Sequence, residues 1–138
     1  MTESPYQELM EERKALYKTI RKCYCPILKT EVIFNSKGFH HLLYDGFGKA
    51  RSRKARMFKV GLLPLVVPVL KSATSIHEYQ PPKFSKQLNK YVEYWKLQAV
   101  VGKRSTTTFI ILRRVGTGNI TFHSVWKKRD KKDQKNHQ

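Results

Sequence analysis

The sequence predicts an α+β domain in which N-terminal helices pack on one face of a four- to five-stranded antiparallel sheet. Three observations carry this. Apolar residues recur at helical spacing early in the chain, from Tyr6 to Tyr24. Segments rich in β-branched and aromatic residues fill the last third. The links between those segments, Gly102-Lys103-Arg104 and Gly116-Thr117-Gly118, suit hairpins. A length of 138 residues fits one domain with one core. That domain is expected over residues 1–128, its N-terminal helix within 1–25, with 129–138 a charged disordered tail.

Ser4, Pro5 and Gln7 form a helix start with a capping box. Tyr6, Leu9, Met10, Leu16, Tyr17, Ile20 and Tyr24 continue the stripe until Pro26 ends it. Thr30 to Phe34 has strand composition. Asn35 or Ser36 can cap a second helix to about Tyr44, which the Asp45-Gly46-Phe47-Gly48 turn breaks. A third helical region runs from near Lys49 to about Leu62. Pro64 and Pro68 make Leu63 to Ser72 a separate short helix or a kinked continuation. Ser75 to Gln80 reads as a strand and Gln80-Pro81-Pro82 as a loop. Strands then follow at about Tyr91 to Val101, Ser105 to Val115 and Asn119 to Lys127.

The net charge of +18 favours a polyanionic partner, while 40% hydrophobic and 12% aromatic residues argue for a folded body. Between Gly46 and His77 stand Lys49, Arg51, Arg53, Lys54, Arg56, Lys59 and Lys71, and no acid. A second acid-free stretch runs from Tyr94 to Arg129. Magnesium-dependent nucleases need converging carboxylates, so a metal-free chemistry without cofactors is preferred. Cys23 and Cys25 stand too close for an unstrained disulfide and lack two further zinc ligands, so reduced thiols are expected. The polar, acidic N-terminus carries no signal peptide, and the apolar run Val60 to Leu70 is too short to span a bilayer. The expectation is a soluble, cytoplasmic protein that binds RNA and no membrane.

Candidate chemistry centres on histidine, which titrates near working pH. On the second helix Phe39, Leu42 and Leu43 define the apolar stripe, and helical geometry makes His41 the more exposed of the pair and His40 the nearer to the packed face. On the last strand strict alternation puts Ile120, Phe122, Ser124 and Trp126 on the helix side and Thr121, His123, Val125 and Lys127 outward. Arg51, Arg53, Arg56, Lys96, Arg113 and Lys127 are phosphate-binding candidates, with Thr107 a further hydrogen-bonding group. Tyr44, Tyr91, Tyr94, Trp95 and Trp126 can stack on bases or pack in the core.

The segments Val32–Leu42, the Arg51/Arg53/Arg56 cluster and Phe122–Lys128, in this order and spacing, resemble the barnase–EndoU–colicin–RelE superfamily of small metal-independent ribonucleases, particularly its phage and mobile-element branches. The resemblance implies a toxin-like endoribonuclease that uses the 2′-hydroxyl of RNA to attack the adjacent phosphate. His41 or His40 would be one acid–base group and His123 the other. Arg51 and Arg56 would hold phosphate, and Ser124 or Thr107 would add a hydrogen bond. A small acidic protein encoded alongside would be the inhibitor of such a toxin. A non-catalytic RNA-binding or ribosome-associated module explains the charge equally well, and Arg51 to Phe58 makes no convincing DNA-recognition helix.

Overall fold

The computed structural model describes residues 4–128; the expected tail lies outside the described residues. The elements in chain order are α1 (Pro5–Ile20), β1 (Lys22–Cys25), β2 (Thr30–Ile33), α2 (Ser36–Leu43), α3 (Arg53–Gly61), α4 (Leu63–Ser72), β3 (Ile76–Ser85), β4 (Lys90–Val101), β5 (Thr106–Val115) and β6 (Ile120–Lys127). The class is α+β, as expected. The sheet has six strands rather than four or five, in the order β1-β2-β6-β5-β4-β3. All its pairs are antiparallel except β2 with β6, which run parallel.

The additional strand is β1, in a stretch expected to be helical. Helix α1 stops at Ile20 because Arg21 adopts a left-handed backbone at φ 53°. Beyond it, Cys23 and Cys25 turn into the core while Lys22 and Tyr24 face water, the alternation of a half-buried strand. A tight turn, closed by Lys29 N–H donating to the Pro26 carbonyl, returns the chain as β2. A second departure lies in β3, which continues through Pro81 and Pro82. It is an edge strand, which needs only alternate N–H groups for its ladder, and its register shifts between Gln80 and Lys83, where the two prolines stand.

The caps expected at Ser4 and Asn35 are present, and the structure adds one at Ser52, where α3 begins at Arg53 rather than near Lys49. The Ser4 hydroxyl accepts from Gln7 N–H while Gln7 reaches back, the Asn35 side chain accepts from Gly38 N–H, and the Ser52 hydroxyl accepts from Ala55 N–H. The core lies between the helices and one sheet face, with Leu42, Val60, Val66, Val69, Leu97, Ile110, Leu112 and Val125 fully buried. The other face of β4, β5 and β6 carries no helix.

One contact fixes α2. Gly38 sits against β6 so closely that a Cβ there would overlap the Tyr17 hydroxyl and lie 2.8 Å from the Phe122 carbonyl oxygen. Around it Tyr17, Phe34, Phe39 and Phe122 form an aromatic cluster with ring centroids 5.3–6.2 Å apart. The Tyr17 hydroxyl donates to the Asn35 carbonyl at the start of α2. The cluster thus joins α1, β2, α2 and β6.

Gly38→Ala is expected to destabilise the protein by about 1–3 kcal/mol despite alanine's better helix propensity, because backbone and a buried ring must shift. Gly46, with nothing within 4 Å of its missing Cβ, is the control. Gly46→Ala should change stability by less than about 0.5 kcal/mol. Urea denaturation of both variants checks this.

Candidate active site

Residue His41 lies one helical turn beyond Gly38, so the close approach that buries the glycine brings the histidine to β6. Strand β2 pairs with β6 at one position, Ile33 with Thr121, and α2 packs against β6 beside that pairing. His41 meets His123 there, with ring centroids 4.3 Å apart. His123 owes its position to a β-bulge. Ile111 pairs with Ser124 and Leu112 with Phe122, which leaves His123 as the extra residue of β6.

The bulge also resets the faces of β6, correcting the strict alternation. Phe122 and Val125 both point into the core, whereas Ser124 and Trp126 join the open face, paired with Ile111 and Phe109. Lys127 turns instead toward α3, its Nζ 5.7 Å from the centre of the Phe58 ring. A one-residue insertion flips every side chain that follows it.

The order within the histidine pair is reversed from expectation. His40 is exposed and stacks on Tyr44, with ring centroids 4.3 Å apart, while His41 is half-buried. The packed stripe of α2 runs through Gly38 and Leu42 rather than Phe39 and Leu43. Glycine carries no hydrophobic signal, yet it marks the line of closest packing.

Cations surround the paired rings. Burial, helped by Arg113, His41 and Lys59, pulls His123 from its ordinary 6.5 down to about 3. His41 is also held below its usual range, first by burial and then by Arg113, His40, Arg51 and Lys37. Lys59 was counted in the sequence only as one of seven bases. It reaches from α3 to donate to the Val125 carbonyl at 2.9 Å, with its Nζ 3.5 Å from the Ser124 hydroxyl. Burial, with Arg51 nearby, lowers it from 10.5 to about 8. Tyr94 packs edge-on against His123 at 5.6 Å. The Nε of Arg113 is buried and has no hydrogen-bond partner.

The arginine cluster divides. Arg51 Nε donates to the His41 carbonyl and Arg56 Nε to the Leu43 carbonyl, so both satisfy the C-terminal end of α2. Arg56 also donates to the Tyr6 hydroxyl and lies over the Tyr44 ring, a structural clamp rather than a free phosphate ligand. Arg53 lies over the Tyr6 ring, 4.6 Å from its centre. On the open face Lys96 sits 5.0 Å from both the Phe109 and Trp126 ring centres, and those rings stack on each other. Thr107 lies further along that face, beyond Phe109. The fold therefore gathers His41, His123, Arg113, Lys59 and Ser124, with Arg51 behind them. It leaves His40, Arg53, Arg56, Thr107 and Lys127 outside.

No family model, curated protein or solved structure matches the chain. Among the described residues no helix is long and apolar enough to cross a membrane, and no three His, Cys, Asp or Glu side chains gather as a metal site would require.

The site can bind an anion and exchange protons with it. Two neutral imidazoles, an ammonium and an arginine with an unused N–H converge there. Because His123 is depressed, the unfolded chain takes up a proton below about 6.5 that the folded chain refuses until about 3. The contribution is intact above 6.5 and is lost progressively as the pH falls toward 3. Denaturation midpoints should therefore drop between pH 7 and pH 4, and less steeply in His123→Asn. Histidine NMR titrations should show His123 still neutral at pH 5.

Proposed function

We propose that the chain is a metal-independent endoribonuclease whose chemistry is centred on His41 and His123. The observation that carries this reading is the contact between the two histidines, drawn from distant parts of the sequence into a ring of cations that includes the unpartnered Arg113 Nε. A phosphate at that point would supply the missing acceptor and relieve the repulsion around the rings. The touching rings leave no room for a phosphate between them, so it lies over the pair.

The proton inventory then assigns roles. At neutral pH His41 is uncharged and, being less buried than His123, is the base that takes the 2′-hydroxyl proton. The freed 2′-oxygen bonds to phosphorus as the bond from phosphorus to the 5′-oxygen breaks. Lys59, protonated below about 8, gives that leaving oxygen its proton. Arg113 and His123 hold the phosphoryl oxygens as charge builds on them. The products are a 2′,3′-cyclic phosphate and a free 5′-hydroxyl, so DNA is not a substrate. The barnase–EndoU–colicin–RelE resemblance agrees with this chemistry, and with it come action in the cytoplasm and, for a toxin of a phage or mobile element, an acidic inhibitor. The Phe109–Trp126 pair under Lys96 favours single-stranded RNA, whose bases can stack there.

Incubation with single-stranded RNA in EDTA should give cyclic-phosphate ends. His41→Ala and Lys59→Ala should each lower the rate by about 10²–10⁴-fold with folding retained, while His40→Ala stays within about threefold of the parent chain. Tight binding without cleavage would replace the nuclease with a non-catalytic RNA-binding module. The rate should fall on the acid side as His41 protonates and on the alkaline side above about 8 as Lys59 loses its proton. Lys59→Arg should move the alkaline limb upward.

A further inference from the structure

We propose that the cavity between α1 and α2 binds a fatty acid of medium chain length, its tail over Tyr17 and Phe34 and its carboxylate on Lys14 and Lys18. None of these residues belongs to the histidine site, so the cavity stands apart from the ribonuclease reading. Its volume of about 600 Å³ lies within the range that holds a small organic ligand. Buried Tyr17 and Phe34 form the floor, and half-buried Tyr6, Met10, Phe39 and Leu43 form the walls. Exposed Glu11, Lys14 and Lys18 stand on the rim.

Two helices that lean on different supports make this slot. On α1, Tyr6, Met10 and Tyr17 recur within about 40° of one line along the helix, and on α2 Phe39 and Leu43 stand one turn apart. Helix α1 packs on α3, whereas α2 packs on α3 and on β6, where Gly38 draws it down to the sheet. Phe39 and Leu43, displaced from the packed stripe by Gly38 and Leu42, face the slot instead. At one end the Tyr17 and Phe39 rings meet, with centroids 5.4 Å apart. At the other, Arg56 donates to the Tyr6 hydroxyl and lies over the Tyr44 ring. A partner's helix, about 10 Å across, needs a groove open at both ends, and this one is closed.

The walls and the rim ask for different ends of one molecule. Apolar walls give water few hydrogen-bond partners, so the slot favours an apolar body whose burial removes both surfaces from water. The rim selects the head group. Lys14 and Lys18 stand one turn apart on α1, a spacing at which like charges repel. Among the described residues neither lysine forms an ion pair, and neither does Glu11. A single carboxylate between the two ammonium groups relieves their repulsion and accepts a hydrogen bond from each. A free phosphate or a nucleotide would use the lysines but leave the apolar floor without a partner.

The test titrates octanoate, below its micelle concentration, onto the full chain and follows it by NMR, with octanol as the uncharged companion. Octanoate should bind saturably at one site, shift the Met10, Phe39 and Leu43 signals, and bind about tenfold more tightly than octanol, as two surface ion pairs warrant. In the double variant Lys14→Gln, Lys18→Gln, whose exposed changes keep helix propensity, the two ligands should come within about threefold of each other with octanol unchanged. Leu43→Trp, which fills the slot, should abolish binding of both, and Met10→Trp is the second filling variant where the first does not fold. Absence of binding, shifts confined to the basic surface of α3, or an affinity that survives tryptophan in the slot overturns the site. Equal binding of octanoate and octanol to the parent chain, or a preference that survives loss of both lysines, overturns the assignment of a carboxylate ligand.

Discussion

The close approach of α2 to β6 at Gly38 is the constraint on which the rest of the molecule turns. With no side chain at that position, the helix backbone settles against the Phe122 carbonyl, under the Tyr17 ring. The next turn of the helix then carries His41 to the strand. Because β2 leaves β6 after a single residue pair, that stretch of strand is open to side chains from α2 and α3. A longer parallel ladder would have walled the two histidines apart.

Electrostatics follow from the same packing. The pair is enclosed by Arg113, Lys59 and Arg51, and the nearest strand carboxylate on the helix side, Glu93, is already engaged by Arg114. The rings stay neutral because a proton there would meet burial and like charge together. This environment is unfavourable for the empty protein and favourable for an anion. Arg51 and Arg56 contribute less directly. By donating to the last carbonyls of α2 they steady the helix that carries His41, which makes part of the basic cluster a support for the site.

Much of the fold was legible in the chain, because capping residues, period-two strands and glycine turns are local signals. Ser4 and Asn35 cap where their chemistry indicates. What escaped reading was non-local. The Cys23 and Cys25 strand exists because Thr30–Ile33 pairs with it, and the proline-containing half of β3 because β4 offers an edge. The site was half legible. The histidines and Arg113 stood out by type, but the bulge at His123 depends on register with β5. Lys59 entered through the reach of its side chain from α3 to the open edge of β6, which no spacing in its own segment announces. His40 and His41 were ordered the wrong way round because the glycine that sets the packed stripe has no hydropathy of its own.

The bulged last strand has a consequence in time as well as in space. His41 is made early and His123 close to the end of the described chain. Contacts between segments so far apart in sequence form late in folding and close large loops. During synthesis the helices and the first hairpin leave the ribosome well before their partner strand exists. A nascent chain therefore holds no paired histidines until β6 has been made and has joined β5.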